Sequence, residues 1–253
     1  MSDSIDQAVI EFPLYVANKA IKSGQWLEVH DKFSGKIYAK VALADAKILE
    51  KAISAAVKAE KEMAALKPFQ KQKILLHCVQ RFKELREELT QILIIEGGKP
   101  KLAAAAEVER LINTFQLAAD AVSTINDGHL MPLAVTASAA AYRGMVQHVP
   151  IGAVSLISPF NFPLNLTAHK IAPAIAAGCP FVLKPASLTP ISALKIAEIL
   201  AETDLPKGAF SILPCPREHA DVLVTDDRFK LLSFTGSDQV GWDMKARAGR
   251  KKV

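Results

Sequence analysis

The sequence predicts an α/β protein: a doubly wound parallel sheet preceded by an N-terminal helical region and an extended arm. Three observations carry that reading. Short apolar runs alternate with helical stripes across residues 151–253, the pattern of strands joined by crossover helices. Apolar residues recur at helical spacing from residue 45 to about 125. Between them, residues 128–150 hold Pro132 and many small residues, which suits extended structure with a turn. The chain therefore divides into 1–127, 128–150 and 151–253.

Residues 1 to about 40 read as irregular or short-stranded, with turn signals at Ser23-Gly24 and Ser34-Gly35. A first helix is predicted over 45–66, with Ile48, Leu49, Ala52, Ile53, Ala56 and Val57 on one stripe. A second is predicted over 69–95, with Ile74, Leu75, Cys78, Val79, Phe82, Leu85, Leu89, Ile92 and Leu93 on its stripe. Gly97 and Gly98 stop it, and Pro100 opens a third helix running to about 125. Strands are then predicted at 152–158, 180–183, 210–213 and 230–234. Helices at 163–177, 191–201, 218–224 and 239–248 follow them in turn. Right-handed crossovers put the strand C-termini on one edge, where ligands bind.

Composition narrows the function. The 253 residues suffice for a full core, and 50% apolar with 23% charged argues against disorder. No apolar run reaches about 18 residues, so no membrane span is expected. Asp3, Asp6 and Glu11 near the start argue against a secretory signal. Cys78, Cys179 and Cys215 form no close pair and no CxxC. With six scattered His there is no zinc spacing, so no metal is expected and a reducing, cytoplasmic setting is. Cys78 lies on an apolar stripe and reads as a structural thiol. The net charge is +5, and five of the eight residues 245–252 are basic. No aromatics interleave with them, so a solvated helix end is expected and not a nucleic-acid site.

The segments after each strand carry the candidate chemistry. After the first come Ser158, Pro159, Phe160, Asn161, Phe162 and Pro163. Two prolines hold one amide side chain between them. A fixed Asn161 can donate to a developing oxyanion, or it can cap the helix that follows. After the second strand come Lys184, Pro185, Ala186 and Ser187. Lys184 there suits ribose hydroxyls or phosphate; the alternative is a surface lysine with a capping Ser187. After the third, Cys215 sits between Pro214 and Pro216 with no base nearby in sequence. After the fourth, Gly236 and Ser237 open a helix that contains Gly241. Amides at a helix start suit a phosphate, although neither GxGxxG nor GxxxxGK[ST] spacing is present.

Together these segments carry a resemblance. The run PIGAVSLISPFNFPLN at 150–165 is followed by APAIAAG at 172–178, LKPAS at 183–187 and FTGS at 234–237. This set resembles the NAD(P)-dependent aldehyde dehydrogenase superfamily, in order and separation, and the helical region from about 40 to 125 is similar too. The resemblance implies a Rossmann-like coenzyme domain for NAD or NADP. It implies that Asn161 is the oxyanion donor, that Ser158, Pro159 and Phe160 lie beside the coenzyme, and that Lys184 meets the adenosine ribose. Ser187 falls where many NAD-preferring members carry a glutamate, so NADP is admissible. Ser237 would lie near the pyrophosphate, with Gly236 and Gly241 shaping the turn. The 128–150 piece resembles an oligomerisation arm, which implies a homodimer or homotetramer of the intact enzyme and a small aldehyde substrate.

Two departures accompany it. Cys215, Pro216 and Arg217 stand where the family is often glycine-rich. The glutamate base and cysteine nucleophile of the family lie beyond Val253, so the catalytic domain is expected to be absent and the chain inactive alone. The competing expectation is a non-catalytic dinucleotide-binding or subunit-assembly module.

Overall fold

The structure, a computed structural model, describes residues 9–125 and 128–253. Residues 1–8, the start of the segment expected to be irregular, and the 127/128 boundary lie outside the described residues. The N-terminal segment is short-stranded: β1 (Ile10–Phe12), β2 (Leu14–Val16), β3 (Lys19–Ile21), β4 (Trp26–His30) and β5 (Ile37–Ala42). Four helices follow: α1 (Ala46–Ala65), α2 (Pro68–Glu84), α3 (Arg86–Gly97) and α4 (Lys101–Ala121). A hairpin, β6 (His129–Pro132) with β7 (Arg143–Val146), leads to the alternating half. That half runs β8 (Val154–Ile157), α5 (Pro163–Ala177), β9 (Phe181–Lys184), α6 (Ile191–Leu200), β10 (Phe210–Ile212), α7 (Val222–Thr225), β11 (Leu231–Phe234) and α8 (Asp238–Arg247).

The main sheet has the order β11-β8-β9-β10-β2-β3. Its four strands from the second half are parallel, as expected. The sequence did not reveal that β2 and β3 extend the sheet antiparallel, which makes it mixed. Strand alternation sends neighbouring side chains to opposite faces. Phe181 and Leu183 pack with Ala168, Ile171 and Leu194 of α5 and α6, while Val182 packs with Ala52, Ile53 and Ala56 of α1. Both faces are therefore covered, as a parallel sheet requires.

The predicted helix over 69–95 is two helices. Leu85 leaves helical geometry at φ −93°, ψ 15°. Arg81 and Lys83 lie in the last turn of α2, and Glu87 and Glu88 in the first turn of α3, each sign at the helix end that its dipole favours. The third helix stops at Ala121, short of 125. The helix expected over 218–224 is a 3-10 turn, Arg217–His219, and the four-residue α7. Among the described residues, no helix is long and apolar enough to cross a membrane.

One glycine is demanded by close approach. Gly208, ahead of β10, has φ +92°, and a Cβ there would lie 2.6 Å from the Ala55 carbonyl oxygen of α1. Gly208→Ala should lower the unfolding free energy by about 2 kcal/mol or more. Urea midpoints followed by far-UV circular dichroism check this, and an unchanged midpoint would mean that α1 does not press on that turn.

Candidate functional site

Three strand ends stand side by side. The parallel register pairs Phe234 with Ile157 and Ile157 with Lys184. At the usual interstrand spacing, Phe234 and Lys184 stand about 10 Å apart across this edge. The chain leaves β8 through α5 toward β9 on one side, and returns as β11 on the other. β8 is thus the switch point, and the crevice outside its C-terminus is where such sheets take ligands.

The loop after β8 is tied down at its root. The Ser158 backbone N–H donates to the Lys184 carbonyl at 3.2 Å, and the buried Ser158 hydroxyl accepts from Thr167 at 3.0 Å. Pro159 is half-buried, and Phe160 and Asn161 are exposed. The N-cap of α5 is Phe162, and no side chain of its own caps that helix. The capping alternative for Asn161 is therefore not realised: its amide faces outward without a partner among the described residues. Over the Phe162 ring lie the Lys99 ammonium, 3.9 Å from the ring centre, and the exposed Arg110 guanidinium at 5.7 Å.

Lys184 is half-buried, which corrects the surface-lysine alternative. Burial holds its ammonium below the usual lysine range, with the nearby Cys215 thiol opposing that shift. Its Nζ donates to the Pro185 carbonyl at 3.2 Å and has no carboxylate partner among the described residues. Ser187 is exposed in the next turn and caps nothing, because the N-cap of α6 is Pro190. Across β8, Ser237 is the N-cap of α8, and its hydroxyl makes no capping bond. A Cβ on Gly236 would fall 2.3 Å from the Phe234 ring, and one on Gly241 at 3.4 Å. The ring, not backbone strain, disfavours a side chain at Gly236, while at Gly241 the contact is a close but ordinary one. A cleft of about 570 Å³ gathers Phe234, Gly236, Ser237, Gly241 and Trp242. Asn161, Lys184 and Ser187 do not line that cleft; Lys184 and Ser187 follow β9, on the other side of β8.

Burial disposes of the cysteines as ready nucleophiles. All three are buried, and burial raises each thiol above its usual value, Cys215 to about 11. Among the described residues, no group of His, Cys, Asp and Glu is arranged to hold a metal.

Sequence reasoning missed Lys170. It is 5% exposed, and its Nζ donates to the Ser233 hydroxyl at 3.0 Å and the Thr235 hydroxyl at 2.9 Å. Burial lowers its ammonium to about 8. A lysine so placed at the sheet's working edge can exchange a proton close to neutral pH. The available signal was a single lysine in a segment, 163–177, that holds no other Lys, Arg, Asp or Glu.

The donor set fits an anionic dinucleotide. It combines a lysine without an acidic partner, two uncommitted serine hydroxyls and a helix start open at its N-cap. These are donors that phosphate and ribose oxygens accept from.

A largely parallel sheet with uncommitted donors at its switch point defines an α/β protein with a candidate ligand-binding edge. The profile of the aldehyde dehydrogenase family matches residues 19–253, and the chain belongs to that family. It is 33% identical over 246 residues to the 3-sulfolactaldehyde dehydrogenase of Priestia aryabhattai, covering 97% of this chain and 51% of that protein. Aldehyde dehydrogenase 21 from Physcomitrella patens, solved with the reaction product succinate, superposes with a TM-score of 0.95 at 49% identity, over 97% of this chain and 51% of that one. The glyceraldehyde-3-phosphate dehydrogenase GapN of Methanocaldococcus jannaschii, solved with NADP, superposes at 0.81 with 33% identity, over 91% and 50%. The chain spans about half the length of the relatives it matches.

Lys170 offers a check on the buried charge. Its proton is held less tightly in the folded chain, so between about pH 8 and 10.5 the unfolded chain holds more protons. Lys170 therefore contributes stability that grows as pH rises through that window. The stability difference between wild type and Lys170→Met should move toward wild type over the same interval, read from urea midpoints. The buried thiols titrate with the opposite sign but are common to both proteins and cancel. A difference independent of pH would mean that the ammonium keeps its water.

Proposed function

We propose that this chain is the coenzyme-binding part of an enzyme that oxidises an anionic aldehyde to its carboxylic acid with NAD or NADP. The observation that carries the reading is the row of strand ends. Phe234, Ile157 and Lys184 are in register, and uncommitted donors stand in the loops that follow. Lys184 takes the adenosine ribose hydroxyls, with Ser187 beside them. Ser237 and the first amides of α8 take the pyrophosphate, and Gly236 and Gly241 let the Phe234 ring lie under that turn. Ser158, Pro159 and Phe160 line the nicotinamide side. Bound there, the nicotinamide supplies the two-electron acceptor.

Asn161 serves the aldehyde. When a cysteine thiolate adds to the carbonyl carbon, the carbonyl oxygen gains charge, and the Asn161 amide donates to it. The three buried thiols of this chain supply no thiolate at neutral pH. We therefore assign no nucleophile to it, and on this reading it is inactive alone. Arg110 supports the anionic substrate class, because it stands beside Phe162, next to Asn161, without an acidic partner. Sulfolactaldehyde, succinate and glyceraldehyde 3-phosphate, in the names of the similar proteins, each carry an anionic group. The β6–β7 hairpin, with Leu130 and Met145 exposed, joins subunits of a dimer or tetramer. Three unpaired cysteines support a cytoplasmic setting.

Calorimetric titration of the 253-residue chain with NADP+ and NAD+ tests the coenzyme assignment. Lys184→Ala should weaken binding by roughly 1–3 kcal/mol, a lost charge-assisted hydrogen bond. Ser187→Glu should weaken NADP+ more than NAD+, since only the former brings a 2′-phosphate; equal effects would sink that role. In the intact enzyme, Arg110→Gln should raise KM for an anionic aldehyde about tenfold, the weight of one charged contact. The same variant should leave a neutral aldehyde unaffected, and a rise for both would remove the anionic class.

A further inference from the structure

Two helices begin at the site, and neither carries its own cap. α5 starts behind Phe162, and α6 starts behind Pro190; no side chain at either N-cap accepts from the first turn. The first amides of a helix have no partner within it, and leaving them unpaired in a buried place is costly. Each pair is met by a carboxylate from the N-terminal helical layer. Glu107 of α4 accepts from the backbone N–H groups of Leu164 at 2.9 Å and Asn165 at 3.2 Å. Glu96 of α3 accepts from Ile191 and Ser192, each at 2.8 Å, and from the Ser192 hydroxyl. Glu107 is 1% exposed and Glu96 is fully buried. Neither touches the crevice itself.

What they hold is the root of each binding loop. Two residues separate Asn161 from the Leu164 that Glu107 grips, and three separate Ser187 from the Ile191 that Glu96 grips. The other Glu107 oxygen pairs with Lys99, whose ammonium in turn covers the Phe162 ring. The two loops meet at one contact, where the Thr189 hydroxyl donates to the Phe160 carbonyl at 3.5 Å.

We propose that Glu107 and Glu96 are positioning residues, each capping a helix across the fold so that one fixes the Asn161 loop and the other the Lys184–Ser187 loop. This rests on the coenzyme reading given above. It assigns separate halves of the ligand to separate carboxylates: Glu96 governs the adenosine end, and Glu107 governs the nicotinamide end.

Hydrogen–deuterium exchange and nucleotide titration of the 253-residue chain test this together. Glu96→Ala should speed exchange in 185–192 and leave 158–165 unchanged, and Glu107→Ala should do the reverse. With 2′,5′-ADP, an adenosine-half ligand, Glu96→Ala should lose about tenfold in affinity, and Glu107→Ala should stay within about twofold. With NADP+, both should weaken. Glu96→Gln and Glu107→Gln keep a carbonyl acceptor at each site. They should recover most of the loss, and they serve if an alanine variant fails to fold. Faster exchange throughout the chain, or equal loss of both nucleotides in both variants, would reduce the carboxylates to general stability and overturn the proposal. Loops that loosen with no change in affinity would overturn it as well. A wild-type chain that binds neither nucleotide would instead overturn the coenzyme reading, and a loop-selective exchange pattern would then stand for the capping alone.

Discussion

The fold depends on how α5 is held at its two ends. At the start, the Glu107 carboxylate accepts from Leu164 and Asn165; at the finish, the buried Lys71 ammonium donates to the Ala176 carbonyl at 2.7 Å. Negative charge at the N-terminus and positive at the C-terminus match the helix dipole. The helix needs this, because Pro173 lies inside it and removes one internal hydrogen bond. Both charges come from the N-terminal helices α4 and α2, so that layer is part of the main sheet's own construction. A buried charge with a full set of partners is tolerable, whereas removing one partner costs about 3–5 kcal/mol. The layer and the sheet are thus bound to succeed or fail together.

That arrangement also explains how the site can be open and fixed at once. Asn161, Ser187 and Ser237 carry uncommitted side chains on loops that must not wander. The Asn161 and Ser187 loops are tied from behind. Ser158 is tied to β9 and Thr167, the helix starts are gripped by carboxylates, and Gly178 turns at φ +77° directly into β9. The polar groups left for a ligand are those that the protein does not use itself.

Much of this was legible in the sequence, and the failures have physical causes. The alternation after residue 151 exposed the parallel sheet, because strands buried on both faces must read as short apolar runs. β2 and β3 were hidden, since three-residue strands give too little periodicity to score. The break at Leu85 was legible but overlooked. The apolar stripe runs through it, and only the charge order, Arg81 and Lys83 before Glu87 and Glu88, marks one helix ending and another starting. The strand-end residues were found by position, yet their local alternatives were misjudged. Asn and Ser are good caps, but here the capping function had passed to Glu96 and Glu107, 95 and 57 positions away from Ile191 and Leu164. No local pattern contains that information.

The buried lysines show why burial alone does not define a working group. Lys71 faces a backbone carbonyl at a helix C-terminus, where the dipole favours the charged form. Lys170 faces two hydroxyls, Ser233 and Thr235. A carbonyl can only accept, but a hydroxyl can accept or donate. If Lys170 gives up its proton, either hydroxyl can rotate and donate to the neutral amine, so no buried group is orphaned. Lys71 has no such second arrangement with Ala176. Both ammonium groups are lowered by desolvation, yet only Lys170 has partners that accept both of its protonation states. Of the two, Lys170 therefore has the partners for proton exchange at the sheet edge, while Lys71 caps the end of α5.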